Sequence, residues 1–145
     1  MKNSKIIDVI IFLFVMLFIY AAFSKLREYE TFQGQIGKSP LIMDYASWIA
    51  FLVPLIEIAI AVSLLIVRLQ LIALYAAFSL MFLFSAYIWF ILTFSPYVPC
   101  SCGGILDKMG WTEHLVFNII FTLLAVVGIH LNLSQQKDRV QIATT

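Results

Sequence analysis

The chain has 145 residues, of which 63% are hydrophobic and only 12% are charged, and its mean hydropathy is +1.01. Soluble domains are roughly half apolar and a quarter charged, so this composition excludes a water-soluble fold and a disordered chain. The formal net charge of +1, with no block of Lys or Arg, excludes a nucleic-acid partner held by a basic surface. The composition predicts an integral membrane protein whose first partner is the lipid bilayer.

The apolar stretches predict an all-α bundle of four transmembrane helices. About 20 apolar residues in a helix cross the roughly 30 Å hydrocarbon layer of a bilayer. Lys2 and Lys5 precede the first stretch, but a good small-residue cleavage site is lacking, so we expect a retained helix rather than a signal peptide. The predicted helices span about 6–23, 46–67, 71–93 and 112–131.

The connections between these helices follow from length and composition. Residues 46–94 would measure about 73 Å as one helix, so the chain must turn back, and Arg68–Gln70 is the polar place to do so. Between Ser24 and Tyr45 we expect an interfacial loop with a short surface helix. Residues 95–111 form a Pro- and Gly-rich loop, Thr112 is the expected N-cap of the last helix, and the polar tail 132–145 is expected to be loose.

Four crossings place both termini of this single membrane domain on the same side. The side that holds the termini would then carry Lys2, Lys5, Arg68 and the two basic residues of the tail. The opposite side would carry Lys25, Arg27, Lys38 and Lys108. This small excess of positive charge favours a cytoplasmic location for the termini. We therefore expect the loop 95–111 to be extracytoplasmic.

That loop holds the sharpest chemical signal, the segment Pro99-Cys100-Ser101-Cys102-Gly103-Gly104, which contains both cysteines of the chain. A pair separated by one residue closes a small, strained disulfide ring, and strain makes a disulfide exchange more readily. Cys100 and Cys102 are therefore the candidate catalytic residues. Two alternatives stay open: ordinary thiols in a loop, or a copper(I) or zinc site formed by Cys100, Cys102 and His114.

Several polar residues lie within the predicted helices. Glu57 is near the middle of the second helix, where a carboxyl group is costly and is by default a functional hypothesis. His114, Asn118 and Thr122 recur every four residues on the last helix and form a polar stripe that descends from the cysteine loop. We expect Glu57, His114 and Asn118 to move protons or bind a quinone, although helix packing would also explain them.

Lys25 and Arg27 follow the first helix on the side expected to hold the cysteines. Long basic side chains at such positions commonly anchor a helix at the membrane interface. A cation near a thiol also favours the thiolate, which is the reactive form. Lys25 and Arg27 are therefore candidates for stabilising a thiolate.

The ordered set of motifs resembles the DoxX-like superfamily and, within it, the MauE-type redox-associated membrane proteins. The matching features are Phe23-Ser24-Lys25-Leu26, Pro54-x-x-Glu57, the cysteine loop, and a last helix with His114 and Asn118. The resemblance implies a four-helix protein of the bacterial cytoplasmic membrane that works in disulfide formation or protein maturation beside thioredoxin-like partners. The architecture is also similar to quinone-coupled thiol oxidases of the DsbB and vitamin K epoxide reductase type, which carry a C-x-x-C pair, often with a second pair.

The leading functional hypothesis is a redox protein that exchanges electrons between an extracytoplasmic thiol partner and the Cys-x-Cys pair, with a membrane quinone as candidate cofactor. A non-enzymatic assembly subunit of a membrane complex, with structural or metal-binding cysteines, is the alternative. A transporter with Glu57 in its pathway is a third hypothesis, but the sequence has no internal repeat to support it.

Overall fold

The computed structural model describes residues 2–39, 42–94 and 110–144, and these segments consist of helices joined by short turns, with no strand among them. Cys100 and Cys102 lie outside the described residues. One short 3-10 turn, Met43–Tyr45, leads into the third α-helix. The α-helices are α1 (Lys2–Arg27), α2 (Tyr29–Gly37), α3 (Ala46–Leu65), α4 (Gln70–Phe94) and α5 (Trp111–Ala143).

Four of these helices, α1, α3, α4 and α5, are long and apolar enough to cross a membrane. In the bundle, α1 packs mainly on α3 and α4 mainly on α5, and the contacts of α3 with α4 and of α1 with α5 close a ring. Because the number of crossings is even, Lys2 and Ala143 lie at the same end of the bundle. The predicted class, an all-α multi-pass membrane protein of four spans, is confirmed.

One half of the bundle, at the end that holds Lys2, is filled by apolar side chains, and we call it the packed half. Phe14, Phe18, Leu64 and Leu74 are completely buried there, and the Phe14 ring meets the edge of Phe121 at 5.3 Å between centroids. The interior is built from Ile7–Phe18 of α1, residues 60–64 of α3, residues 73–81 of α4 and residues 125–129 of α5.

Gly128 allows α5 to approach its neighbours closely in the packed half. A Cβ atom at this position would lie 3.2 Å from Cγ2 of Ile10 on α1 and 3.3 Å from Cδ2 of Leu74 on α4. Small residues are common at helix contacts in membranes, where close backbone approach supplies much of the packing energy. Gly128 therefore fixes the distance between α5 and both helices.

Four hydroxyl groups within the spans are satisfied inside their own helices. Ser63, Ser79, Ser85 and Thr93 each donate a hydrogen bond to the backbone carbonyl four residues earlier, at 2.7–2.9 Å. Lipid offers no hydrogen-bond partners, so this arrangement lets short polar side chains occupy apolar helices at little cost. These residues need no functional explanation.

Two expectations about the last helix are wrong. The tail 132–145 is not loose, because α5 continues to Ala143 and the chain between 129 and 143 has no Gly or Pro to end it. At its other end the helix begins at Trp111 with Gly110, not Thr112, in the N-cap position; the Gly110 N–H donates to Glu113 Oε2 at 3.2 Å.

The expected surface helix after α1 is confirmed as α2, and the expected reversal near Arg68 is confirmed between α3 and α4.

Candidate functional site

A cavity of about 490 Å³ occupies the other half of the bundle, which we call the cavity half. It lies among the last turns of α1 and α4 and the first turns of α3 and α5, with α2 along one side. The segment that carries the cysteines leaves α4 after Phe94 and enters α5 at Trp111, so both ends of this segment join the cavity half. The lining is mostly apolar, and its polar or charged members are Tyr20, Ser24, Lys25, Gln35, Glu57, Tyr87, Trp111, His114 and Asn118.

An ion pair between α1 and α3 dominates the polar part of this cavity. The Lys25 ammonium donates a hydrogen bond to Glu57 Oε1 at 2.7 Å. The Glu57 side chain is 1% exposed and that of Lys25 is 18% exposed, so water reaches the pair poorly. Breaking such a buried pair leaves an uncompensated charge, whereas the intact pair is neutral overall. The expectation that Glu57 faces the bundle interior is confirmed.

Two aromatic rings complete the surroundings of the Lys25 ammonium. Its Nζ atom lies 5.8 Å from the ring centroid of Phe32 on α2 and 5.7 Å from that of Phe84 on α4. A cation within about 6 Å of a ring face is attracted by the π electrons. Lys25 thus connects three helices besides its own: α3 through Glu57, α2 through Phe32 and α4 through Phe84.

Helix α2 is held on α3 beside the cavity. The Tyr29 hydroxyl donates to the Ser47 carbonyl at 3.3 Å, and Gln33 Nε2 donates to Ser47 Oγ at 2.6 Å. Buried Ile36 packs with Ala46 and Ala50 in a small apolar cluster of its own. These contacts fix α2 so that Phe32, Gln35 and Ile36 form one wall of the cavity.

The predicted polar stripe of α5 faces this cavity at its upper end. His114 and Asn118 both line it, and the Asn118 side chain is only 3% exposed. The third member, Thr122, donates its hydroxyl to the backbone carbonyl of Asn118 at 2.7 Å. Thr122 therefore satisfies its hydroxyl locally, and only His114 and Asn118 offer side-chain groups to the cavity.

Glu57 and Asn118 each have a buried polar atom in the cavity lining with no hydrogen-bond partner among the described residues. These atoms are Oε2 of Glu57, an acceptor, and Nδ2 of Asn118, a donor. Buried polar groups are nearly always paired, and leaving one unpaired costs about 1–3 kcal/mol. Glu57 on α3 and Asn118 on α5 stand on helices at opposite corners of the bundle, so the two atoms face the cavity from two sides.

The structure therefore brings together four of the predicted site residues, Lys25, Glu57, His114 and Asn118. Arg27 is exposed in the last turn of α1 and does not line the cavity. The predicted catalytic pair and the alternative metal site of Cys100, Cys102 and His114 depend on residues outside the described segments. Their roles stay predictions.

Sequence reasoning missed the pairing of Lys25 with Glu57 and the contribution of α2. Glu57 and Arg68 are the only charged residues between 46 and 94, which signals that Glu57 needs a partner of opposite charge. Lys25 was available as that partner, at the end of the preceding apolar helix. No sequence pattern indicates that Phe32 of the surface helix packs beside the ammonium.

Fold and site define this chain as a multi-pass α-helical membrane protein with a partly polar cavity between its helices. The family model described as methylamine utilisation protein MauE matches residues 3–131, and the chain belongs to that family.

Among curated proteins, the chain is 34% identical over 115 residues to the methylamine utilization protein MauE of Paracoccus denitrificans. The match covers 77% of this chain and 61% of that relative, so the chain spans less than two thirds of the relative's length. No solved structure is significantly similar to this chain. The family is thus established by sequence, and the fold is described by the present structure alone.

Proposed function

We propose that this protein exchanges thiol and disulfide electrons through Cys100 and Cys102 with an extracytoplasmic partner, a thioredoxin-like protein or a client that matures in that compartment. The observation that supports this proposal best is the position of the cavity half. The segment 95–109, which holds both cysteines, joins the bundle where Lys25, Glu57, His114 and Asn118 meet in a mostly apolar cavity. A redox pair on a segment that joins the bundle beside a membrane cavity is suited to relaying electrons into the bilayer.

The chemistry of the oxidising direction consists of two exchanges. A partner thiolate attacks the Cys100–Cys102 disulfide, and the mixed disulfide resolves to an oxidised partner, leaving both cysteines as thiols. The partner has then lost two electrons and two protons, and the pair has gained them. Re-forming the disulfide releases two electrons and two protons, which a lipid-soluble quinone would accept to give a hydroquinone.

The supporting residues divide by position. His114 lies in the first turns of α5, closest in sequence to the cysteine segment, and is the proposed proton carrier between the thiols and the cavity. Arg27 is exposed and is the better candidate for stabilising a thiolate, since the charge of Lys25 is balanced by Glu57. Glu57 and Asn118 lie deeper and are assigned to the quinone.

Location and biological role are parts of the same proposal. The charge distribution favours cytoplasmic termini and an extracytoplasmic cysteine segment. The family resemblance supports a bacterial cytoplasmic membrane as the location. The family description suggests that the partner belongs to a methylamine utilisation system. The wider DoxX-like relationship rests on the motifs Phe23-Ser24-Lys25-Leu26 and Pro54-x-x-Glu57.

The test is a redox titration of the cysteine pair in the purified protein, with and without added quinone. We expect a reversible two-electron disulfide with a potential well above the roughly −300 mV of structural disulfides. Cys102→Ser should leave Cys100 able to trap a partner as a mixed disulfide, or Cys100→Ser should do so if Cys102 is the attacking thiol. A membrane-impermeant maleimide should label the reduced pair in intact spheroplasts.

Three results would count against this proposal. A pair that stays reduced under mild oxidant would remove thiol exchange and favour the assembly-subunit alternative. Near-stoichiometric copper or zinc, lost in both Cys→Ser variants and in His114→Ala, would instead support the metal site. Maleimide labelling only after lysis would reverse the orientation.

A further inference from the structure

In the cavity half, one hydrogen-bonding atom of Glu57 and one of Asn118 together specify the chemistry of a ligand. Oε2 of Glu57 accepts and Nδ2 of Asn118 donates, and neither has a partner among the described residues. Both side chains are more than nine-tenths buried, so bulk water does not satisfy them. A bound molecule that satisfies both atoms must carry a hydrogen-bond donor for Glu57 and an acceptor for Asn118.

The same surroundings fix the charge and the shape of this molecule. The Lys25 ammonium is already matched by Glu57 Oε1, so a charged ligand would bring an unpaired charge into an apolar space. The cavity volume of about 490 Å³ falls within the roughly 300–1,000 Å³ of small-molecule sites. Aromatic rings line it from four helices: Phe18 on α1, Phe32 on α2, Phe84 and Tyr87 on α4, and Trp111 and Phe117 on α5. The ligand is therefore neutral, largely apolar and ring-bearing.

Access from the bilayer is consistent with a lipid-soluble molecule. Leu83 of α4 lines the cavity and is nevertheless 62% exposed, so this wall of the cavity is also part of the outer, lipid-facing surface of the bundle. A molecule dissolved in the membrane would enter through this thin wall, without passing through water.

We propose that this cavity is a binding site selective for a hydroquinone over the corresponding quinone. One hydroxyl of the ring donates to Glu57 Oε2, and one ring oxygen accepts from Asn118 Nδ2. A quinone has only acceptors, so it satisfies Asn118 but leaves Glu57 Oε2 unpaired beside a carbonyl oxygen. Because a hydrogen bond to a charged group is among the stronger ones, we expect the hydroquinone to bind about tenfold more tightly or better.

The preference for the hydroquinone favours electron flow from the cysteine pair to the quinone. This consequence rests on the proposed function, whereas the binding site itself does not. A site that binds the reduced form more tightly raises the reduction potential of the bound couple. Tenfold tighter binding corresponds to about 30 mV for a two-electron couple. The bound quinone is then a stronger oxidant of the cysteine pair than the quinone dissolved in the membrane.

The experiment measures binding without electron transfer. The protein carries Cys100→Ser and Cys102→Ser, so no thiol exchange occurs. Trp48→Phe and Trp89→Phe replace rings that are 75% and 55% exposed. Trp111, which lines the cavity, is then the only tryptophan left to report binding by its fluorescence. Decylubiquinol and decylubiquinone are titrated separately under argon in detergent. We expect a saturable change in Trp111 emission with both, at about tenfold lower concentration for the hydroquinone.

Three single variants locate the binding. Glu57→Gln should abolish the preference for the hydroquinone, because the amide offers a donor as well as an acceptor. Asn118→Leu should weaken both ligands about equally, since both accept its hydrogen bond. Asn132→Leu is the matched control: Asn132 is also buried on α5, but it lies outside the cavity and accepts from Gln136 Nε2 at 3.4 Å. It should bind as the parent does.

Each outcome separates the inference from the proposed function. A non-saturable response, or equal binding by the Asn118→Leu and Asn132→Leu variants, means partition into detergent and overturns the site. Equal affinities for the two redox forms overturn the selectivity. Selective binding combined with a cysteine pair that never oxidises leaves the site standing and removes thiol exchange; thiol exchange without binding removes the site alone.

Discussion

The two halves of the bundle solve the problem of packing helices in lipid in different ways. The packed half uses complete burial of side chains such as Phe14 and Leu74, together with a glycine at the closest helix contact. The cavity half leaves about 490 Å³ empty and holds its helices with an ion pair, two cation–ring contacts and a surface helix. Lipid is as apolar as a leucine side chain, so helix association depends on close packing and polar contacts. The packed half depends mainly on close packing, and the cavity half depends mainly on polar contacts.

The difference indicates where function can reside. A close-packed region has no room for a ligand, and its side chains have no unsatisfied groups to offer. The cavity half gives up packing energy, and within the described part of the chain it leaves buried polar atoms of Glu57 and Asn118 without a partner. Local structure that costs stability is expected at functional sites. The following predictions test this division, from the largest expected effect to the smallest.

The ion pair should be the most sensitive point of the cavity half. Glu57→Leu leaves Lys25 buried without its partner, and we expect the free energy of unfolding to fall by about 3–5 kcal/mol. Lys25→Met should have a comparable effect through the orphaned carboxylate. Glu57→Gln should retain the fold, because the amide can still accept a hydrogen bond from Lys25. The measurement is equilibrium unfolding in mixed micelles.

The double variant Lys25→Met with Glu57→Leu is the control for this pair. It removes both charges and should be clearly more stable than either single variant. Strict additivity of the two losses would show that the 2.7 Å contact contributes nothing, and that the cavity half is held by packing alone.

Enlarging one alanine in each half should separate the halves directly. Ala77 of α4 is completely buried in the packed half, so Ala77→Leu overpacks the interior and should cost about 1–3 kcal/mol. Ala21 of α1 lines the cavity, which has room for the added atoms, so Ala21→Leu should cost less than about 1 kcal/mol. Equal losses in thermal unfolding would mean that the cavity is not open space in the folded protein.

The close contact at Gly128 should respond to a single methyl group. Gly128→Ala places its Cβ 3.2 Å from Ile10 and 3.3 Å from Leu74, both well buried, and we expect a net loss of about 1 kcal/mol despite the better helix propensity of alanine. At Gly34 of α2 nothing lies within 4 Å of the added atom, so Gly34→Ala should be neutral or stabilising. A stabilised Gly128→Ala variant would refute the close approach.

The start of α5 should show the smallest effect. Glu113→Ala removes the carboxylate that accepts from the Gly110 N–H at 3.2 Å, and an exposed contact of this kind at a helix N-terminus contributes about 0.5–1 kcal/mol. Thr112→Ala should change stability by less than about 0.5 kcal/mol, since Thr112 is not the N-cap. A larger loss of stability for Thr112→Ala than for Glu113→Ala would show that Thr112 is the N-cap.

Sequence alone determined the class of this protein and most of its helices. A chain that is 63% hydrophobic has no soluble fold, and the bilayer thickness converts its apolar stretches into four spans. The same physics placed Glu57 inside the bundle, because lipid solvates a carboxyl group poorly. The cysteine segment was visible for a similar reason, since two thiols one residue apart stand out in any sequence.

Only the tertiary structure decided which polar groups meet. The end of α1 and the start of α3 lie at the same end of the bundle. Counted along each helix from there, Lys25 is about 3 Å deep and Glu57 is about 16 Å deep. This difference in depth does not predict that the two side chains touch. The pair forms because the stagger between α1 and α3 is set by packing over the whole interface, including the position of α2. Hydrophobic periodicity specifies the face that a helix buries, but stagger depends on the shapes of many side chains at once. The cavity that Glu57 and Asn118 line follows from that stagger.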